Sequence, residues 1–234
     1  MRPRVLTGGT DPGTAVLWDE PVLTTSWPLA RDARVLVVGA HPDDETIGAG
    51  RLLAAHHGRC DAVVLSAGEA CLPDGDRRDL GHQRLAEWRA ALSHLGVRPL
   101  EAPRWPDGEL AAYVAEIEEA LRETAADYDV VLAPWRHDPH PDHEAVGRAA
   151  LAAAPGRVVA YPVWTPFWTT PTQLGERGAR LVGLRTPASA HRAWTAAVAE
   201  YASQTRPLRP GWAPIVPAEL LRRQQEQLLV VDDA

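Results

Sequence analysis

The chain has 234 residues, 45% of them apolar, and a formal net charge of -7, which is enough sequence for one substantial hydrophobic core. The acidic balance argues against a nucleic-acid partner, because phosphate recognition needs clustered Lys and Arg, and lysine is absent altogether. Two cysteines, Cys60 and Cys71, are too few for a disulfide scaffold and lack the paired thiolate spacing of a structural zinc site.

Residues 1–33 form an amino-terminal extension without a clear period; Trp18 and Trp27 would be costly to expose, so it is expected to fold back over the domain. It breaks at Gly, Asp and Pro before any apolar stretch long enough for a signal peptide, and no segment is long enough to span a bilayer, so a cytoplasmic location is expected. The organised part begins with "RVLVVGA" from Arg34, a continuous apolar and β-branched run that predicts a strand covered on both faces. A helix is predicted from about Thr46 to His57, with Gly58 at its C-cap, then a second buried strand in "DAVVLSAG". "DLGHQRLAEWRAALSHLG" places Leu80, Leu85, Trp88, Leu92 and Leu95 on one helical face and ends at Gly96. "ELAAYVAEIEEALRETAADY" predicts another helix leading into the strand "DVVLAP", and beyond residue 155 come strands in "GRVVAYPVW" and "ARLVGLRT" and a helix in "ASAHRAWTAAVAEYASQ". Strands alternating with helices predict an α/β fold, Rossmann-like, with a largely parallel sheet and helices on both faces, built as a single domain over 1–234.

In such a sheet, ligands bind beyond the carboxyl ends of the strands, and two polar clusters fall there: "AHPDDE" (40–45) and "WRHDPHPDHEAVG" (135–147). His41 and Asp44 are three apart, as are His140 and His143, so each pair can lean the same way. One imidazole and one carboxylate from the first cluster with one imidazole from the second make a mixed N/O set suited to zinc, with an open position for water. Asp43 would then be free to act as general base. The plain alternative is that His-x-x-Asp is a surface turn, with Asp44 capping the helix that begins near Thr46. Glu45 either braces the metal loop or faces solvent. Trp164 and Trp168 either pack in the core or line a sugar or acyl pocket. A dinucleotide site is excluded, since charged residues stand where close approach to a pyrophosphate requires glycine.

"AHPDDE" and "HPDHEAVG" resemble the paired signatures of the PIG-L/LmbE-like zinc de-N-acetylases. Between them "LSAGEA", "RLAE" and "PDGEL" are similar to shorter motifs of that family, and "YASQ" near Gln204 to its late Ser-Gln element, so that 34–204 is the resembling core and 205–234 a carboxyl-terminal segment. The resemblance implies zinc on His41, Asp44 and His143, with another divalent transition metal as the alternative. It further implies Asp43 as general base, His140 steadying the tetrahedral intermediate or protonating the leaving amine, Asp142 modulating the charge of His140, and Arg84 and Asp107 holding the sugar. Where that family can carry an oxyanion-assisting tyrosine, this chain has Asp138. The implied activity is removal of acetyl from a small N-acetylated amino sugar, releasing acetate and an amine. A metal-dependent amidase for a larger conjugate and a catalytically silent carbohydrate-binding domain are the alternatives; oligomeric state is left open.

Overall fold

The computed structural model describes residues 22–24, 28–72, 77–223 and 227–232; Trp18 and Trp27, and with them the expected course of the extension, lie outside the described residues. Among the described residues eight strands make one sheet: β1 (Val22–Thr24), β2 (Val35–Gly39), β3 (Cys60–Val64), β4 (Arg98–Pro99), β5 (Val130–Pro134), β6 (Val158–Tyr161), β7 (Ala179–Leu184) and β8 (Gln227–Asp232), in the order β1-β7-β8-β6-β5-β2-β3-β4. All pairings are parallel except those of β8, which runs antiparallel to both β6 and β7. The helices are α1 (Asp44–Ala55), α2 (Arg77–Leu95), α3 (Val114–Ala125), α4 (Pro141–Ala153), α5 (Thr165–Trp168), α6 (Pro171–Gly175), α7 (Ala188–Glu200), α8 (Ala202–Thr205) and α9 (Ala218–Arg223). None of the described helices is long and apolar enough to cross a membrane.

Strand β2 shows why the sheet is covered on both faces. Its residues are all buried, and they alternate between two cores: Val35 and Val37 join Leu52, Trp88 and Leu92 on the side of α1, α2 and α7, whereas Leu36 and Val38 join Ile117, Leu121 and Val146 on the side of α3 and α4. The apolar stripe of α2 packs as its spacing predicts, with Leu80, Leu85, Trp88, Leu92 and Leu95 all buried, and Gly96 ends it at φ 71°.

Several boundaries differ from expectation. Helix α1 starts at Asp44, ahead of Thr46, and stops at Ala55, where His56 turns extended and its ring is fastened to the Ala33 carbonyl at 2.8 Å; Gly58 is not its cap. The helix expected in "ELAAYVAEIEEALRETAADY" is split into a 3-10 turn over Leu110–Tyr113 and α3. Strand β6 stops at Tyr161, and "VW" leads instead into α5.

The chain leaves β2 to build β3 and β4 on one side, then returns to place β5 against the other side of β2. The sheet therefore has a switch point between the carboxyl ends of β2 and β5, the position at which open α/β sheets form their crevice.

Candidate active site

The two polar clusters stand on either side of that crevice, "AHPDDE" between β2 and α1 and "DPHPDH" between β5 and α4. The first loop is folded by its own aspartate: Asp44 Oδ2 accepts the backbone N–H groups of Ala40 and His41 at 2.9 and 2.8 Å. Asp44 is thus the first residue of α1 rather than its cap, and Asp43, which precedes the helix, makes no side-chain cap bond. In the second loop His140 is the N-cap of α4, its Nδ1 accepting the Asp142 N–H at 3.2 Å, and Pro141 takes the first helical position, where a missing N–H costs nothing.

Donor atoms of three side chains converge across the crevice. His41 Nδ1 lies 3.2 Å from His143 Nε2 and 3.4 Å from Asp44 Oδ2, and His143 Nε2 lies 3.1 Å from Asp44 Oδ1. Among the described residues, His41, His140 and His143 also bring one ligand atom each within 4.8 Å of one another, as do His41, Asp107 and Asp142. His140 stacks on His143, with ring centroids 4.6 Å apart, and meets His41 edge-on at 4.8 Å.

The surrounding carboxylates hold these rings in place. Asp138 is 2% exposed; its Oδ1 takes His143 Nδ1 at 2.8 Å, while Oδ2 accepts the backbone N–H groups of Val163, Trp164 and Thr165 and the Thr165 hydroxyl. It therefore fixes the ring orientation of His143 and points Nε2 at the crevice, the carboxylate–histidine arrangement common around metal ligands. Asp142, expected to modulate His140, opposes the lowering of that imidazole through its charge; its Oδ2 also lies 3.2 Å from His41 Nε2, and its oxygens accept the N–H groups of Gly108 and Leu110. Asp107 Oδ1 also faces His41 Nε2, at 3.1 Å, and its Oδ2 accepts the Ala70 N–H at 2.6 Å.

Arg84 is buried, not open to solvent. Its Nη2 donates to Asp43 Oδ1 at 3.2 Å and its Nη1 to the Gly68 carbonyl at 2.6 Å. Gly68, at φ 67°, is where the loop after β3 passes over that guanidinium: a Cβ there would lie 2.1 Å from Arg84 Nη1. Glu45 has no exposure at all, so the solvent-facing expectation fails; its Oε1 accepts from Thr46 Oγ1 at 2.8 Å and from the Tyr201 hydroxyl at 3.3 Å, which ties the start of α1 to the end of α7.

So many buried acids make the crevice a strong attractor of positive charge. Burial alone would push the imidazoles toward neutrality, but Asp44 and its neighbours override it: His41 is raised well above the usual histidine range by Asp44 and Asp107, and His143 is raised to about 9 by Asp44 and Asp138. His140 goes the other way, lowered to about 3 by burial and by the two charged rings beside it. Burial raises Asp43 above the ordinary carboxylate range, a shift that Arg84 restrains. Burial likewise lifts Glu45 to about 7.

Converging imidazole nitrogens and a carboxylate, in a place where surrounding acids stabilise a cation, are a donor set that fits a divalent metal ion. The crevice opens into a cavity of about 130 Å³. His41, Asp43, Asp44 and His140 line it, as do Arg84 and Asp107, and Ile47, Val163, Trp164 and Val216 add apolar lining. Trp164 serves both expectations at once, lining the cavity at 7% exposure while stacking on Trp168 at 4.4 Å.

A sheet switch point bearing buried His/Asp donors defines the class: an α/β protein with a candidate metal centre at the mouth of its parallel strands. Residues 36–154 match the PIG-L: GlcNAc-PI de-N-acetylase family, and the chain belongs to it. It is 32% identical over 178 residues to a 1D-myo-inositol 2-acetamido-2-deoxy-alpha-D-glucopyranoside deacetylase of Streptomyces avermitilis, covering 62% of this chain and 60% of that protein. A protein of the same name from Rhodococcus erythropolis is 29% identical over 222 residues, covering 78% of this chain and 71% of that one. The chain spans about six-tenths of the length of the first curated relatives it matches. A crystal structure of a conserved protein from Thermus thermophilus superposes with TM-score 0.57 at 29% identity, over 82% of this chain and 84% of that one. The A40926 pseudoaglycone deacetylase shares the fold, with TM-score 0.64 at 22% identity over 88% of this chain and 99% of that one.

Proposed function

We propose that this chain is a zinc-dependent hydrolase that removes the acetyl group from an N-acetylated amino sugar, with His41, Asp44 and His143 as the metal ligands. The observation that carries the reading is the meeting of His41 Nδ1, Asp44 and His143 Nε2 within 3.1 to 3.4 Å beside a further carboxylate, Asp43, that also lines the cavity and is held by Arg84. The names of the relatives, deacetylases of a 2-acetamido-2-deoxy glucoside, support an N-acetylglucosaminyl substrate for this member too.

A divalent cation held there supplies Lewis acidity, polarising a carbonyl and bringing the pKa of water from 15.7 toward 7. The chain's own groups do the rest. Asp43, restrained by Arg84 and free of any cap bond, takes a proton from the water that attacks the acetamide carbon. His140 accepts the Asp142 N–H through Nδ1, so its neutral ring carries its proton on Nε2, and this N–H donates to the oxygen of the tetrahedral intermediate. Protonated Asp43 then returns its proton to nitrogen as the C–N bond breaks, giving acetate and a free amine. Arg84 and Asp107 act on substrate only where their remaining capacity allows, because both are already bonded within the site. Elemental analysis of the purified protein, joined to an acetate-release screen over N-acetylglucosaminides with and without chelator, tests the proposal. Expected are bound zinc and chelator-sensitive acetate; metal-free protein releasing acetate at the same rate would overturn it.

A further inference from the structure

Gln204 lines the same cavity, with Ile215 and Val216, has no exposure, and takes no part in the chemistry above. Its amide is oriented by a chain of bonds running to helix α2. Glu87 is acceptor-only, so the Ser203 hydroxyl must donate to Glu87 Oε2, at 2.6 Å; Ser203 Oγ can then only accept, and it accepts from Gln204 Nε2 at 2.8 Å. A flipped amide would set two acceptors against each other. The backbone is pinned as well, since Val216 N–H donates to the Gln204 carbonyl at 2.9 Å. Gln204 Oε1 is consequently a buried carbonyl oxygen of fixed direction with no hydrogen-bond partner among the described residues. A lone buried acceptor destabilises the fold unless a ligand satisfies it.

We infer that Gln204 Oε1 accepts a hydrogen bond from the substrate, and that the donor is the N–H of the acetamide under attack. This rests on the de-N-acetylase reading, since the amide N–H is the donor carried by the group that is cut, whichever sugar or aglycone surrounds it. The bond makes Gln204 a specificity-determining residue: it holds the scissile amide in register with Asp43 and selects amides over esters of the same shape.

The test compares methyl 2-acetamido-2-deoxy-glucopyranoside with methyl 2-O-acetyl-glucopyranoside, which differ by the N–H alone, in wild type and in Gln204→Met. An ester that wild type does not turn over is read as a competitive inhibitor instead. The expected result is a fall in kcat/KM on the amide of roughly 10- to 100-fold, with the ester changed less than about 3-fold. Gln204→Asn keeps a carboxamide, with its acceptor and its donor, and is expected to retain more of the amide preference than the Met variant; it decides the matter if the Met variant does not fold. An equal fall on both compounds, or no fall on either, would overturn the inference while leaving the deacetylase reading intact. No acetate from the amide with wild-type, zinc-loaded protein would remove both.

Discussion

Asp43 and Asp44 are neighbours with the same side chain and different surroundings, and the difference decides their roles. Asp44 spends one oxygen on two backbone N–H groups and turns the other toward His143, whereas Asp43 has Arg84 as its partner and a face on the cavity. Asp43→Asn is therefore expected to keep its metal and lose about two to four orders of magnitude in turnover, checked by elemental analysis beside acetate release. Unchanged turnover would remove Asp43 from the role of base. Asp138 acts one step back, through His143. Asp138→Asn retains the shape but weakens the bond that orients the ring, and metal affinity measured by competition with a chelator should fall about 10- to 100-fold.

At the scale of elements, the loop after β3 and the helix α2 form one device through Gly68 and Arg84. Gly68→Ala adds a Cβ into the guanidinium and asks a non-glycine residue to hold φ 67°. Arg84 must shift, so turnover should drop at least 10-fold; the strained backbone should cost about 1 kcal/mol, read as a lower Tm. Wild-type turnover in a folded Gly68→Ala would show that the Arg84–Asp43 pair is dispensable. The paired signatures were legible in the sequence because they sit directly after apolar runs such as "RVLVVG", where the strand end is unmistakable. What stayed hidden were contacts between distant segments. Asp138 reads as one more loop acid until the "VWT" backbone, 25 to 27 residues further along the chain, folds over it. The Glu87–Ser203–Gln204 chain joins residues 116 apart, and only its motif-like spelling hinted at a role. Strand β8 was missed altogether, since "QEQLLVVDD" is flanked by charge and amides and gains its strand partners only from β7 and β6.

Across the whole molecule, the parallel sheet holds its site at one end and a second buried charge cluster away from it. Asp61, in β3, is fully buried and receives Arg98, Tyr128 and Arg59. Burial pushes its carboxyl up, but those hydrogen bonds outweigh burial and hold the pKa at about 2. A folded-state pKa below the unfolded value of about 3.9 means that the stabilisation is present above pH 4 and is lost as pH falls toward 2. Both arginines are more than half exposed, so screening reduces the contribution to about 1 kcal/mol. Asp61→Asn should accordingly be less stable than wild type at pH 7 and converge on it near pH 2, as followed by denaturant midpoints across that range; a constant gap would show that the carboxylate charge is not what stabilises.

The central claim is that His41, Asp44 and His143 grip a single divalent cation on which deacetylation depends. The direct measurement is acetate released from an N-acetylglucosaminide by chelator-stripped protein as zinc is added back in sub-stoichiometric steps. A rise that levels off near one zinc per chain, absent in His143→Ala, is the predicted result. Acetate release that ignores zinc, or that His143→Ala restores to wild-type levels at the same zinc concentration, would contradict it.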